Sequence, residues 1–435
     1  MSRTMKDSGI PWIGEIPSHW RTELIGSCIK EVNNPNTDNA ENNALQFKMG
    51  TIISKKGGDS KYNPETLEAY NKVQQGDIII NGLNLSFDFI SQRVGLVKEN
   101  GVITSTYLAL RPLPLIDSRF LNYLFKGYDY CKALHSMGRG LRATLGYNEF
   151  RKYSVFFPSI HEQQAIADFL DKKCVEIDEM VSLQEKIVEE LKAYKQSVIT
   201  EAVCKGINPD APMKDSGIEW IGQIPTHSRI AKIGNIITGY KAGPFGSALI
   251  TGNLLTQGNI LVYTPEHIAK RETSIEGNLF LQPERLDEMS QFIVKQGEII
   301  FPIVGSLGRA MQITEGMPIG IINQRLSKFS LIEGEVDNDY FMWVFGKSSF
   351  YSTFIDIHSR GAIIVNLTKQ IVCSMPIVLH PIEEQRAISS FLNKRCAEID
   401  TLISLKQSKI DALKEYKKSI IYEYITGKKE IPYGD

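Results

Sequence analysis

Two stretches of the 435-residue chain carry apolar residues at helical spacing over long distances. In the first, Ile166, Leu170, Ile177, Met180, Ile187, Leu191, Tyr194 and Val198 recur three or four residues apart, or at multiples of those steps. In the second, Ile388, Leu392, Ile399, Leu402, Ile410, Leu413 and Ile420 do the same, with Lys406 and Lys409 interrupting the stripe. That period draws one apolar seam along a helix. The ends are marked as well. Pro158, then Ser159 and Glu162 at capping-box spacing, open the first helix, and Gly206 lies just past its end. Pro381 with Glu383 and Glu384 opens the second, and Gly427 can close it. About 40 helical residues span roughly 60 Å. An apolar seam of that length needs a partner, and the other helix is the matching candidate. The sequence therefore predicts that the two helices pair.

The helices are themselves a repeat. Glu162–Leu183 and Glu384–Leu405 share 13 of 22 positions at an offset of 384 − 162 = 222. A second repeat precedes each variable block: MKDSGIPWIGEIPSH at 5–19 returns as MKDSGIEWIGQIPTH at 213–227, with 12 of 15 positions identical at an offset of 208. Matches this long mark an internal duplication. The chain thus reads as four segments: opening and first block (1–157), first helix (158–206), repeated opening and second block (207–379), then second helix and tail (380–435).

The blocks differ strongly in sequence, yet share landmarks. Gln75–Ile80 and Gln296–Phe301 each read as a turn feeding an apolar strand; Ser118–Phe125 and Asn338–Phe345 each read as an amphipathic helix. Gly138-Arg139-Gly140 and Ser359-Arg360-Gly361 precede a last strand, Tyr153–Phe157 or Cys373–Val378. Each block is therefore expected to be a mixed α/β domain with short strands. A shared scaffold with diverged filling suggests one task performed on two targets.

Composition changes this picture little. Net charge is −1, which neither suggests nor excludes nucleic acid, because a basic face can be balanced elsewhere. Six scattered cysteines form no CxxC pair, which suits a reducing cytoplasm and argues against zinc ribbons. No long apolar run predicts a membrane span. No GK[ST] phosphate loop, no NPPF- or DPPY-like tetrapeptide and no HExxH pair is present. Glu190-Leu191-Lys192 and Glu415-Tyr416-Lys417 match a nuclease-like E-x-K, but both lie on the heptad helices and read as coil charges. Neither a catalytic centre nor a metal site is expected.

The repeated opening, Pro244–Ser247 (PFGS), the strand and turn Gly297–Ala310, and the P-x-x-EQ-x-x-I-x-x-FL helix starts at Pro158–Leu170 and Pro381–Leu392 resemble the specificity subunits of type I restriction–modification systems. The first helix start carries one extra residue before Glu162. The resemblance covers essentially the whole chain. It implies an α+β molecule in which the two blocks are target recognition domains, separated by a long antiparallel two-helix coiled coil. It further implies an internally duplicated, near-circular organisation with a pseudo-two-fold axis. Each domain would read half of a bipartite site in double-stranded DNA. The coil would dock two modification subunits, and restriction subunits would join them. S-adenosylmethionine, ATP and Mg2+ would bind those partners, not this chain. The subunit would be cytoplasmic, non-catalytic and part of a defence against foreign DNA. Trp20 becomes Ser228 in the second opening, and PFGS has no clear copy in the first block, so fine details do not transfer between domains.

Base edges and phosphates are contacted by Lys, Arg, Asn, Gln and Ser on loops. The candidates are Lys48, Lys55, Lys56, Lys61, Arg139 and Arg142 in the first block, and Lys241, Ser247, Arg309, Asn323, Gln324, Arg325 and Arg360 in the second. Arg139 and Arg360 lead, because neighbouring glycines let the backbone approach DNA. Ile166, Leu170, Ile177, Met180 and Leu191, with Ile388, Leu392, Ile399, Leu402 and Leu413, are the candidate coil and docking residues. Trp12 and Trp220 read as anchors of the openings. The competing reading is a coiled-coil scaffold that binds proteins and never touches DNA.

Overall fold

The computed structural model describes residues 3–55, 64–245, 249, 254–304, 308–358 and 367–431. It forms two compact units, one of residues 1–185 with 407–435, the other of residues 186–406. Each unit holds one block and part of both long helices, so these boundaries cross the four sequence segments. The helices run Ile160–Lys205 and Ile382–Ile425.

The opening motif folds the same way in each unit. Strands Met5–Asp7 and Glu15–Pro17 pair antiparallel, as do Met213–Asp215 and Gln223–Pro225, in matching register. The D-S-G of each copy builds the turn. Asp7 Oδ1 accepts from Gly9 N (3.0 Å) and Ser8 Oγ from Ile10 N (3.1 Å); Asp215 and Ser216 repeat both bonds. Gly9 and Gly217 sit at φ +71° and +73°, where a side chain would be strained.

A four-stranded antiparallel sheet follows in each block, with one strand order. In the first unit it runs Ile29–Glu31, Leu108–Pro112, Ile78–Ile80, Val94–Leu96; in the second, Ile237–Ala242, Leu326–Leu331, Ile299–Pro302, Met311–Gln312. The acid ending the turn before the third of these strands is buried and paired across the sheet. Asp77 meets Arg111 at 2.8 Å, and Glu298 meets Lys328 at 2.9 Å. Helices Ser118–Tyr130 and Asn338–Gly346 follow, capped by Asp117 and Asp337. Strand Ser154–Phe157 pairs with Arg21–Leu24, and Pro376–Leu379 with Arg229–Lys232. The last strand of the second block begins later than its sequence suggests. Cys373 lies in a short helix, Lys369–Ser374, whose N-cap Thr368 hydroxyl accepts from Ile371 N.

Outside this shared frame the blocks differ. The first adds two hairpin-like pairs, Leu45–Lys48 with Thr51–Ser54 and Tyr70–Val73 with Gly101–Thr104. The second adds another four-stranded sheet around Leu261–Tyr263.

Each long-helix start is locked to its own block by a buried glutamine. Gln163 accepts from Asp117 N (2.9 Å) and donates to Pro158 O (3.1 Å). Gln385 accepts from Asp337 N (2.9 Å) and donates to His380 O (2.8 Å) and Glu335 O (3.0 Å). The preceding glutamate turns to the opening: Glu162 to His19 (3.1 Å) and Glu384 to His227 (2.7 Å). Only half of the expected capping box therefore forms. Ser159 Oγ accepts from Glu162 N (3.3 Å), while the Glu162 carboxylate takes the Trp20 indole N–H (3.2 Å) and Arg3.

Within each unit the two long helices touch, running antiparallel. In the first, the Phe169 and Tyr424 rings lie 4.4 Å apart, Lys417 pairs with Asp178 (2.7 Å), and Lys414 with Glu185 (3.1 Å). In the second, Lys195 pairs with Asp400 (2.6 Å), the counterpart of the Lys417 pair at the repeat offset of 222. Ile166, Leu170 and Ile177, and Ile388, Leu392 and Ile399, are buried as expected. Leu191 and Leu413 are half-buried. Met180 and Leu402 are not in the seam: they are 44% and 46% exposed, while Val181 is 9% exposed. The observed stripe runs 166, 170, 174, 177, 181, 184, 188, 191, with the matching positions 388 to 413 in the other helix. From Leu170 on it is a regular heptad, with steps alternating four and three, that takes Val181 rather than its neighbour Met180. Lys406, which looked like an interruption, occupies the position matching the buried Gln184.

The first opening lies beside the end of the second helix. Tyr422 Oη donates to the carbonyls of Trp12 and Ile13 at 3.2 Å. Trp12 meets Tyr128 edge-on at 5.9 Å, and Trp220 packs on Phe354 at 6.5 Å, so both tryptophans are anchors.

Candidate nucleic-acid interface

In the first unit three loops adjoin at one edge of the shared sheet. The connection Asn81–Arg93 links strands Ile78–Ile80 and Val94–Leu96. It is organised by Arg93, whose guanidinium is 1% exposed and donates to Asn81 O (3.1 Å), Leu83 O (2.8 Å) and Asp88 O (2.6 Å). Its backbone N–H is taken by the Asp129 carboxylate at 2.7 Å. Asp88 caps the next turn, accepting from Ile90 N and Ser91 N (3.1 and 3.0 Å), and the bonds from Ser91 hold its pKa down at about 2. So many bonds per residue fix the loop's shape before any ligand arrives.

A second turn, Gly138–Thr144, lies against the first. Leu85 N donates to Ala143 O (3.1 Å), and Leu145 N to Gly82 O (2.9 Å). Arg139 and Thr144 exchange both backbone bonds, and Gly140 at φ +80° makes the reversal. The third element is the tip of the Leu45–Ser54 hairpin. Gly50 there approaches Gln92 so closely that a Cβ would lie 2.7 Å from its amide oxygen.

These loops present an unusual surface. Phe87, Ile90 and Leu141 are 72%, 87% and 93% exposed, with Phe89 stacked on His135 at 4.8 Å beside them. A preformed loop that holds bulky apolar side chains in water signals a binding surface. Arg142 is exposed at the same turn tip. Arg139 is also exposed but ion-paired with Glu149 (2.8 Å). Lys48 and Lys55 are exposed at the ends of the hairpin strands. The structure thus gathers Lys48, Arg139 and Arg142 onto adjoining loops. Lys56 and Lys61 lie outside the described residues.

In the second unit, residues 303–310 occupy the topological place of Asn81–Arg93, and Arg309 is exposed there. Ile303 N donates to Arg325 O (2.9 Å), which brings the turn Asn323-Gln324-Arg325 alongside. Asn323 Oδ1 accepts from Arg325 N (3.0 Å), leaving Gln324 and Arg325 exposed. Gly243 approaches Asn323 O closely enough that a Cβ would lie 1.9 Å away, and the neighbouring Phe245 is 79% exposed. Lys241 is half-buried and engaged on the surface: it bonds Gln291 and lies 5.3 Å over the Phe292 ring. Ser247 and Arg360 lie outside the described residues.

The exposed apolar side chains escaped the sequence reading. A signal existed. The 13-residue connection Asn81–Arg93 carries the run Phe87-Asp88-Phe89-Ile90 where a surface loop would ordinarily be polar.

No family model matches the chain. Two proteins of Methanocaldococcus jannaschii do. One is a putative type I restriction enzyme MjaX specificity subunit, 23% identical over 430 residues, 96% of this chain and 95% of the relative. The other is the MjaVIII specificity subunit, 21% identical over 426 residues, 95% and 93% of the two chains. Among solved structures, a chain from a study of type I restriction–modification complex assembly superposes with a TM-score of 0.71 at 13% identity, covering 95% of this chain and 99% of that one. The HsdS subunit of Thermoanaerobacter tengcongensis superposes at 0.52 with 15% identity, covering 95% and 98%. Among the described residues no helix is long and apolar enough to cross a membrane. In sequence along nearly its whole length, and in fold, the chain is similar to the specificity subunits of type I restriction–modification systems, as its duplicated motifs led us to expect.

Proposed function

We propose that the chain is the DNA-reading, non-catalytic subunit of a cytoplasmic type I restriction–modification complex. Each unit reads one half of a bipartite site in double-stranded DNA and directs partner subunits to methylate adenine or cleave. The observation that carries this is a conserved frame with diverged loops. Sheet order, buried acid–base pair, helix cap and glutamine lock recur in both units, while the connections between the strands differ in sequence and length. Arg142, Arg139 and Lys48 on one side, and Arg309, Arg325 and Gln324 on the other, supply the donors that base edges and phosphates accept. S-adenosylmethionine, ATP and Mg2+ belong on the modification and restriction partners.

The same reading makes the two long helices an antiparallel coiled coil that sets the gap between half-sites and docks two modification subunits. The duplicate ion pairs, Lys195–Asp400 and Lys417–Asp178, support it. A rod of this kind suits major-groove sites that recur about every 34–36 Å. Tethering also makes the second half-site contact intramolecular, which raises affinity without new contacts.

The test is a block exchange. Residues 21–157 are replaced by those of a relative, the complex is expressed with its modification subunits, and methylated adenines are mapped in the host genome. One half of the recognised sequence changes. Change in both halves, or in neither, defeats the two-reader account.

A further inference from the structure

The second unit contains a cluster that the DNA-reading role does not use, where its opening meets the start of the second long helix. His227 Nε2, His380 Nδ1 and a Glu384 carboxylate oxygen all lie within 4.8 Å of one another. His227 Nε2 is 2.7 Å from one Glu384 oxygen, and His380 Nδ1 is 3.9 Å from the other. Ser228 Oγ stands 2.8 Å from the same His380 nitrogen. Two imidazoles and a carboxylate, with an oxygen available for a fourth position, are a zinc ligand set. Zn–N and Zn–O bonds of about 2.0–2.2 Å in a tetrahedron hold ligand atoms roughly 3.3 Å apart. The 2.7 and 3.9 Å separations are to different carboxylate oxygens and the whole set lies within 4.8 Å, so side-chain rotations that draw the atoms in by up to about 1.5 Å complete the site.

A second feature points the same way. His380 is buried, and its other nitrogen, Nε2, sits 3.1 Å from the carbonyl of Val203. A hydrogen bond from Nε2–H to a backbone carbonyl fixes the tautomer that leaves Nδ1 as a lone pair. This is the outer support that metal-binding histidines generally have. His227 is on the solvent side, which gives an ion its entry.

The first unit shows what the same joint looks like without these ligands. His19 and Glu162 keep their contact at 3.1 Å, but Pro158 stands at the place of His380 and Trp20 at the place of Ser228. The Trp20 indole N–H occupies the glutamate at 3.2 Å. Two differences between the copies, Trp to Ser and Pro to His, together create the set in the second unit alone.

We propose that His227, His380 and Glu384, with Ser228 or a water as fourth ligand, bind one Zn2+ that clips the second opening hairpin to the start of the second long helix. Loading requires the His227 proton to move from Nε2 to Nδ1. The Ser228 hydroxyl hydrogen turns away from His380. No redox step or covalent change is involved.

The experiment uses the full chain freed of metal by chelation. Zn2+ is titrated by calorimetry, and Co2+ is added separately to report coordination through its visible absorption. The expected result is one saturable equivalent per chain and a rise in unfolding midpoint of about 2–4 °C at saturation. Intense visible bands of tetrahedral cobalt should accompany it. His227→Ala, on the solvent side, should weaken binding more than tenfold and abolish the cobalt bands, with Glu384→Gln as the second variant. His19→Ala, the first-unit counterpart, should change neither. Absence of a saturable equivalent, or binding that survives His227→Ala in a protein with normal circular dichroism, overturns the clip. DNA reading by the loops is untouched by either outcome.

Discussion

The two joints between opening motif and long helix are built on one plan and filled differently. In the first unit Trp20 is fully buried, stacked on Phe156 at 5.7 Å and edge-on to Phe120 at 6.4 Å. In the second, Ser228, Val378 and Tyr340 take those places, and the space is crossed by polar bonds. His380 bonds Ser228 and Val203 O, while Tyr340 Oη donates to Val378 O (2.8 Å) and Val203 O (3.2 Å). What both joints keep is the glutamine lock and the His–Glu contact. The geometry of entry is thus preserved while its energetics change from apolar packing to a hydrogen-bonded network.

The largest expected contrast comes from cutting each joint at the same place. Trp20→Ala removes a fully buried indole and should cost about 3–5 kcal/mol. Ser228→Ala removes one hydrogen bond and should cost about 1 kcal/mol. Chemical denaturation of both variants checks this; equal losses would mean that the joints are not differently filled. The shared lock makes the opposite forecast. Gln163→Ala and Gln385→Ala should each cost about 2–4 kcal/mol, because each strands a buried backbone N–H and a carbonyl, and the two losses should agree closely.

On the loops, the double variant Phe87→Ala with Ile90→Ala should leave the unfolding midpoint unchanged, since both side chains are exposed. It should weaken binding of the assembled complex to its DNA by roughly tenfold, about 1.4 kcal/mol, with the loss confined to one half-site. Wild-type affinity would remove these residues from the interface. The paired charges rank lower: Lys417→Ala and Lys195→Ala should each cost no more than about 1 kcal/mol, since both partners keep contact with solvent.

The smallest effect is with pH. In the metal-free protein, burial holds His380 and His267 below the ordinary histidine range. Above about pH 6.5 folded and unfolded chains carry the same charge at these sites. As pH falls below it the unfolded chain takes up protons that the folded one resists, so stability is lost toward acid. Amide exchange at Val203 and Ser228 should quicken between pH 7 and pH 5.5, after correction for intrinsic rates, more than at Trp20, where Pro158 replaces the histidine.

Much of the frame was legible in the sequence because repetition is a strong signal. The D-S-G turns, the helix caps at Asp117 and Asp337, and the long helices all follow from local chemistry. The seam was misplaced by one residue at Met180 and Leu402, because each has an apolar neighbour, Val181 or Ile403, and either residue of the pair continues a heptad pattern from Ile177 or Ile399. The candidate interface was only partly legible. Arg142 and Arg325 sit on turns that glycine and asparagine announce. Lys241 looks equally exposed in sequence, yet its ammonium is taken by Gln291. The exposure of Phe87 and Ile90 depends on Arg93 gathering three carbonyls, and the meeting of His227 with His380 spans 380 − 227 = 153 residues. Such encounters are set by tertiary packing, which local sequence does not encode.

The central claim, that separate loop sets read separate halves of one site, is tested most directly by selecting duplexes from a randomised library with two variants of the assembled complex. One carries Phe87→Ala with Arg142→Ala, the other Arg309→Ala with Arg325→Ala. Each should relax the base preference in one half-site, a different half for each, and leave the other half as in the parent. Relaxation of the same half by both variants, or of both halves by either, would contradict the account.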